Sequence, residues 1–542
     1  MTLLGRSLLV LGLLFGLLFA VAMAALEYFH QSYLYGIAFS LGILCLQYVF
    51  GPTLIQWIYK IRWAEMSDLA PSVREYLHDV CRKSKVPVPR LGLIEDGNPN
   101  AFTFGHYPGD ARLVVTRGLL DMLDEPEQKA VVGHEVGHIA HWDFVVMTLA
   151  ATVPLILYYI YRATVSSGRG RGSRGRGGGQ AAIVGLIAYV AYFVSQYIVL
   201  LLSRVREYYA DEFSALSTRD PNALAKGLVK VAYGLARAPQ KEEKKDGLVH
   251  AQAGKALGLF DHAVAGNLAL ASAGTATGTR VTPETMVEAM KWDLWNPWGS
   301  WYEINSTHPL PAKRIRALER LAERVGQAPA FDFPEKRPES YWDEFAVDFL
   351  THVLPVVCAA VGLGIGAALS QTMGAVSAMP SLALFGFGVG SLLKLVRSYP
   401  QGQFPERTVE SLVKEIKVSG VRSVPCTLAG KIIGRGVPGL FYSEDLVIQD
   451  ESGFMVLDYR QPFRLLDFLF GAFRAESLIG QQAQAVGWFR RSPRPYLELL
   501  RVRPEHVPEQ RCWTYTARAI GAVLAMFAGI AVWLAGSAGI GA

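Results

Sequence analysis

The sequence predicts an α-helical polytopic membrane protein that carries an α+β soluble domain and, towards its C-terminus, a small mostly-β soluble domain. Three observations predict it. Apolar residues make up 51% of the 542 and charged residues only 18%, with a mean hydropathy of +0.23, whereas soluble domains are about a quarter charged. The excess is concentrated in seven apolar stretches, each long enough for the roughly 20 helical residues that cross a hydrocarbon core. Between them lie polar segments of ordinary globular pattern at 60–142, 204–345 and 398–516. A disordered, collagenous or purely water-soluble chain is excluded. Spans that alternate with sizeable polar segments point to soluble chemistry held at a membrane rather than to a transport bundle.

In chain order, the predicted spans are 7–26, 33–58, 143–162, 181–203, 349–370, 374–396 and 517–540. They divide the chain into two N-terminal spans (1–59), a domain at 60–345 that contains a two-span hairpin (143–203), a second hairpin (346–397), a mostly-β unit (398–516) and a last span (517–542). The first span also fits a cleavable signal, with Arg6 before the apolar run and Ala22-Met23-Ala24 after it. Its length, and the second span that comes at once after it, favour an uncleaved anchor. Lys60 and Arg62 follow the second span while the connection before it has no Lys or Arg, which places 60–142 on the cytoplasmic side. The loop 163–180, with Arg169, Arg171, Arg174 and Arg176, disagrees with that topology. Either the rule is overridden there or the two flanking helices do not fully cross. Its Gly/Ser/Arg composition reads as a flexible connector, and an RNA-binding tract is disfavoured because it is short and wedged between spans. Gln240–Asp246 and Ala271–Thr279 read as mobile surface loops.

The net charge of +6, from 53 Lys+Arg against 47 Asp+Glu, is too mild over this length to imply a nucleic-acid partner. The five cysteines, Cys45, Cys81, Cys358, Cys426 and Cys512, are far apart and form no CxxC, so neither a disulfide framework nor a thiolate zinc site is expected.

Residues 131–143 read VVGHEVGHIAHWD and contain H-E-x-x-H as His134, Glu135 and His138. On a helix, positions i and i+4 share a face, so both imidazoles can reach one metal. Glu135 beside the first of them is placed to deprotonate a zinc-held water. Glu125-Pro126-Glu127 opens the segment with a helix-start proline and an acidic first turn. The motif alone is also compatible with a charged helix face at the membrane border, so it needs a third ligand. The extension of the motif that uses Gly and a third His would need Gly at 141 and His at 144, where this chain has His141 and Phe144. The other common solution is a Glu from a later helix. SRVREYYADEFSA at 203–215 offers Glu207, with Asp211 one turn on as the carboxylate that could orient His134. The competing reading is a solvated face shared with Arg204 and Arg206.

GHEVGHIAHWD, followed after a two-span hairpin by SRVREYYADEFSA, resembles the integral-membrane gluzincins of the HtpX and CAAX prenyl endopeptidase family. The resemblance covers about residues 30–330. It extends to Asn98-Pro99-Asn100-Ala101-Phe102-Thr103-Phe104-Gly105, to the strand-to-helix lead-in Leu113–Leu123, and to Ser306-Thr307-His308-Pro309. It implies a zincin-like α+β catalytic domain with one zinc per chain on His134, His138 and Glu207, and Glu135 as general base. It also implies that Asn100, Ala101, Phe102, Thr103 and Phe104 hold the substrate backbone by strand addition, although a plain core strand fits the same residues. His308 is either a donor to the oxyanion or a cap for the helix near Pro311. His141 is expected to lie at the surface or behind the ligands.

The chain departs from the smaller members of that family by continuing past the His-Pro segment. Asp445–Asp450, Phe454–Tyr459, Ala483–Phe489 and Tyr496–Val502 read as strands of a small barrel or sandwich, an accessory unit for substrates or partners. Gly434-Arg435-Gly436-Val437-Pro438-Gly439 matches a dinucleotide fingerprint, but Pro438 and the strand-like residues after it do not open a helix, so no such site is expected. Gly362/Gly366 and Gly386/Gly390 suit close helix packing within one hairpin; a homo-oligomer or a membrane partner through the C-terminal region stays open.

The expectation is therefore a zinc endopeptidase of the bacterial cytoplasmic (inner) membrane, its site facing the cytoplasm. Its substrates are misfolded or membrane-adjacent polypeptides, and its other partner is the lipid bilayer. The alternatives are cleavage of prenylated C-termini and a non-catalytic scaffold with a structural zinc; the presence of Glu135 argues against the scaffold.

Overall fold

The structure is a computed structural model and describes residues 13–14, 16–22, 33–59, 61–96, 100–167, 177–233, 283–333, 339–373, 377–437, 443–492 and 494–539. Most of the first predicted span, half of the Arg-rich loop with its four arginines, both low-complexity stretches, Asn98-Pro99 and Pro438-Gly439 lie outside those residues.

Helix α1 (Tyr33–Ile58) occupies the second predicted span. The chain then builds a four-stranded sheet of order β1-β2-β4-β3, from β1 (Arg62–Trp63), β2 (Arg90–Ile94), β3 (Ala101–Phe104) and β4 (Arg112–Thr116). β2 and β4 pair in parallel, whereas β3 pairs antiparallel to β4 with Ala101 opposite Val115. Helix α2 (Pro71–Lys83) lays Val73, Leu77, Val80 and Cys81 on this sheet, in one core with Leu91, Leu93, Leu113 and Val115. β4 runs directly into α3 (Arg117–Met122), whose first turn is capped by Thr116. Helix α4 (Glu125–Ala140) starts at a capping box in which Asp124 and Glu127 satisfy each other's backbone N–H.

Helices α5 (Asp143–Ser167) and α6 (Gly177–Thr218) form the first hairpin, packed through Ala150, Val153 and Leu157 against Ala188, Ala191 and Leu202. The 42 residues of α6 are one uninterrupted helix, about 63 Å long at 1.5 Å per residue. That is about twice a hydrocarbon core, so its C-terminal part leaves the apolar layer and enters the soluble domain. Helices α7 (Pro221–Tyr233), α8 (Pro283–Trp295), α9 (Pro297–Ile304) and α10 (Pro311–Arg324) complete that domain.

Helices α11 (Trp342–Met373) and α12 (Ala378–Ser398) form the second hairpin. Its glycines are packing devices: a Cβ at Gly362 would land on the Leu382 carbonyl, and one at Gly386 on the Cys358 carbonyl. After α13 (Val409–Val413) the chain forms β5 (Val424–Arg435), β6 (Leu446–Gln449), β7 (Phe454–Asp458), α14 (Arg464–Phe473), β8 (Gln482–Arg491), β9 (Pro495–Pro504) and β10 (Gln510–Arg511). It ends in α15 (Thr514–Gly539). The strand order is β10-β9-β7-β6-β5-β8, and β8 pairs back onto β9, which closes a barrel. Four of its strands occupy the stretches expected from the sequence; β5 was not expected.

Among the described residues five helices, α5, α6, α11, α12 and α15, are long and apolar enough to cross a membrane. The barrel does not stand apart from the soluble domain. One buried cluster runs from Leu224, Val229, Met290 and Ile315 on α7, α8 and α10 into Leu428, Ile448, Leu457 and Leu497 of the barrel. Two adjacent buried arginines of β8 make the join. Arg491 pairs with Asp293 of α8 at 3.0 Å and donates to the carbonyls of Ala289 and Val413. Arg490 pairs with Glu498 at 2.6 Å and donates to the Ser398 carbonyl where α12 ends.

The hairpin geometry makes Gly362→Val an overpacking substitution against a backbone carbonyl, at a cost of about 1–3 kcal/mol. Thermal unfolding of the full chain in detergent should show a midpoint lower by several degrees, whereas Gly364→Val, which meets nothing within 4 Å, should leave it unchanged. Equal midpoints for Gly362→Val and wild type would contradict the packing.

Candidate active site

The site forms where α4 and the protruding end of α6 touch. Two glycines of the G-H-E-V-G-H run let them approach: a Cβ at Gly137 would lie 3.2 Å from the Ala210 Cα, and one at Gly133 would meet Ser214 and Tyr76. The helices therefore press His134 and His138 towards Glu207. His134 Nε2 and His138 Nε2 are 3.0 Å apart, and each lies 3.6 Å from a Glu207 carboxylate oxygen. These atoms are mutually close enough to hold one metal ion. Donors around a tetrahedral zinc with bonds of about 2.0–2.1 Å stand about 3.3 Å from one another. Two imidazole nitrogens and a carboxylate, at this spacing and mostly buried, fit that ion.

Each of these three side chains has a partner behind it. Asp211, one turn after Glu207, lies 3.0 Å from His134 Nδ1. Asp143, at the start of α5, lies 2.6 Å from His138 Nδ1 and is itself held by the Arg206 Nε, also at 2.6 Å. Arg314 of α10 donates from Nε and Nη2 to the two oxygens of Asp211, at 2.8 and 2.6 Å, and approaches Glu207 Oε2 at 3.1 Å. Glu207, Asp211, Arg206 and Arg314 are all at most 5% exposed, so the reading of this segment as a solvated face does not hold.

The charges around these groups set their protonation. Burial alone would lower the pKa of His138, but Asp143, Glu207 and Glu135 override it and raise it to about 9. Burial likewise acts to lower the pKa of Arg314, and Asp211 and Glu207 raise it above the ordinary guanidinium value.

The remaining sequence candidates also converge. His308 Nε2 lies 3.2 Å from Glu207 Oε1 and its Nδ1 is 3.0 Å from Thr307 Oγ1. α10 begins without a side-chain cap, so His308 is not its cap. The loop that carries it is fixed by Arg204, which donates to the carbonyls of Glu303, Ile304 and Ser306. His141 instead ends α4 and packs against Tyr209 and Phe213, and it is not part of the group that could hold a metal.

β3, with Ala101, Phe102, Thr103 and Phe104, is the edge of its sheet, and among the described residues no strand pairs on its outer side. Asn100 precedes it, buried, with its N–H bonded to Thr116 Oγ1 at 2.7 Å. Thr103 donates to Glu135 Oε2 at 3.1 Å, so the edge strand and the acidic residue of the motif are in direct contact. A mostly apolar hollow beside them is lined by Asn100, Ala101, Leu119, Glu135, Leu228 and Val231.

Sequence reasoning missed Asp143 and Arg314, and read Arg206 only as part of a solvated face. Asp143 was visible as the acidic end of GHIAHWD, five residues after His138. Arg314 carries no local signal, because its partners lie about a hundred residues earlier.

Replacing Asp143 by Asn should lower metal affinity about 10- to 100-fold, the usual effect of losing the carboxylate behind a ligating histidine. Competition with a chelator reads it. Wild-type affinity in Asp143→Asn would mean that Asp143 does not orient His138.

Comparison with known proteins places relatives on this part of the chain. The profile of peptidase family M48 matches residues 67–322. A protein named protease HtpX homolog from Methanothermobacter thermautotrophicus is 38% identical over 229 residues, which are 42% of this chain and 85% of that protein. One of the same name from Aeropyrum pernix is 32% identical over 301 residues, 54% of this chain and 88% of the relative. Another from Aquifex aeolicus is 29% identical over 52% of this chain and 82% of its own length. The crystal structure of S. mikatae Ste24p aligns with 58% of this chain and 65% of its own, at 15% identity and a TM-score of 0.33, too slight a likeness to build on.

Proposed function

The chain belongs to peptidase family M48 and is a multi-pass membrane metalloprotease, and on that premise we propose that it is a zinc endopeptidase acting on membrane or membrane-adjacent polypeptides, misfolded ones in particular. The observation that carries the reading is the contact between Glu135 and Thr103, which joins an acid–base group beside a metal-binding triad to an unpaired strand edge.

In this reading His134, His138 and Glu207 hold one zinc ion per chain, with Asp143 and Asp211 fixing the imidazoles. When bound, zinc supplies a Lewis acid for the scissile carbonyl and lowers the pKa of a water towards about 7. Ala101–Phe104 grips an extended substrate by main-chain hydrogen bonds, which make little demand on its sequence and suit unfolded chains. The hollow with Leu119, Leu228 and Val231 accepts an apolar side chain of the substrate. Glu135 takes a proton from the attacking water and delivers one to the leaving amine. His308, held by Thr307 and the Arg204-clamped loop, donates a hydrogen bond to the oxyanion.

We place the chain in the cytoplasmic membrane with this site on the cytoplasmic side, on the strength of Lys60 and Arg62 after α1. The sequence expectation of a bacterial membrane stands beside archaeal relatives, for which an archaeal membrane is equally compatible.

The test is Glu135→Gln in the purified full chain, with unfolded casein as substrate. Zinc should stay bound while cleavage falls by about 10²- to 10⁴-fold, the usual contribution of a general base. Equal cleavage by variant and wild type would overturn the mechanism.

A further inference from the structure

α14 turns an apolar face outward. Phe463 at its N-cap and Leu465, Leu466, Leu469 and Phe473 along it are exposed, from 39% at Leu469 to 76% at Phe473. Their spacing puts the four helical ones on one side. The other side is firmly built into the barrel: Phe470 stacks on Tyr459 at 3.7 Å, and the Gln461 N–H donates to Asp467 Oδ1 at 2.6 Å. Scattered apolar residues are normal on a soluble surface, but a contiguous helical face of them marks an interaction site.

The surroundings fix the occupant. The segment that leads into α14 is bonded to the start of α15, a helix apolar and long enough to cross a membrane, and to the residues just before it. Thr514 Oγ1 donates to the Arg460 carbonyl at 2.7 Å, Gln461 Nε2 to the Arg511 carbonyl at 2.7 Å, and the Trp513 N–H to Gln461 Oε1 at 3.2 Å. Within α14, Phe468 packs against the cluster of Ile55, Ile58 and Tyr59, where α1 leaves the second predicted span. The helix thus lies between the C-terminal end of α1, the second predicted span, and the start of α15. Trp57 and Trp513, about half exposed at those ends, are the residue type that sits at the headgroup level. Arg464, the first residue of α14, and Arg474, at its C-cap, are exposed, available to lipid phosphates.

We propose that α14 is an interfacial helix, lying in the headgroup–acyl boundary of the bilayer with Leu465, Leu466, Leu469 and Phe473 immersed in lipid. Phe468 shares its cluster with Phe102 and Phe104 of β3, so the lipid contact also sets the height of the strand edge above the membrane. The proposal rests on the membrane assignment and is independent of the proteolytic chemistry.

Site-specific fluorescence in vesicles tests it. In full-length protein with Cys45→Ser and Cys358→Ser, leaving the buried Cys81, Cys426 and Cys512, a single cysteine replaces Leu466, Phe473 or the barrel residue His506. Each position is exposed, so a fluorophore there displaces little packing. In vesicles of phosphatidylcholine and phosphatidylglycerol, nitroxide lipid labelled near the headgroup should quench labels at 466 and 473 by about twofold or more, and iodide should quench them several-fold less than a label at 506. Iodide quenching at 466 and 473 equal to that at 506 would place the face in water and overturn the proposal. Protection from both quenchers would also overturn it, by showing protein on the face.

Discussion

Arg314 reaches from α10 between two carboxylates that α6 presents one helical turn apart, and the catalytic half of the molecule depends on that contact. Glu207 and Asp211 are buried together, and two buried anions so close could not both stay ionised without a fixed cation. Asp211 must be an anion to orient His134, and Glu207 must be one to serve as a ligand. Arg314 meets both, bidentate to Asp211. Breaking such a buried pair by removing one partner typically costs about 3–5 kcal/mol. A lysine would lose the planar fork that matches the carboxylate.

The same contact explains why the chain is built from pieces so distant in sequence. α6 brings the carboxylates up out of the apolar layer on a single helix, and α4 brings the imidazoles on a sheet-backed one. α10 must then arrive at the right height. Its N-terminal end is fixed by Asp293, whose carboxylate accepts the Ala312 N–H and the Tyr233 hydroxyl and also pairs with Arg491 of the barrel. A continuous series of buried contacts thus runs from β8 through Asp293 and α10 to Glu207 and Asp211. The C-terminal barrel is packed into the frame that holds the site, through the core shared by Ile315, Met290, Leu428 and Leu457.

How much of this was legible in the sequence depends on the range of each interaction. His134, Glu135 and His138 were legible because a four-residue helical spacing is a local signal. Glu207 became legible through its spacing from the hairpin and a family resemblance. The helix boundaries near Pro126 and Pro311 were marked by prolines in first turns. By contrast, Arg314 and Arg491 act through partners distant in sequence, and nothing in their neighbourhood distinguishes them from surface charges. β5 escaped because Gly430 and Gly434 interrupt its apolar pattern, although Gly430 is there to let the Gln449 backbone come close. Closure of the barrel depends on the parallel β7–β9 pairing and on β8 returning to β9, neither of which leaves a periodic trace. The length of α6 was hidden as well, since the hydropathy drop near Ser203 looks like the end of a helix and is only its exit from the apolar layer.

The central claim is that His134, His138 and Glu207 together hold one zinc ion at the junction of α4 and α6. X-ray absorption at the zinc edge of the purified, zinc-loaded full chain tests it most directly. The expected spectrum has a first shell of nitrogen and oxygen only, at about 2.0–2.2 Å, with multiple scattering from two imidazoles and about one zinc per chain. A sulfur shell, or scattering from one imidazole or none, would contradict it.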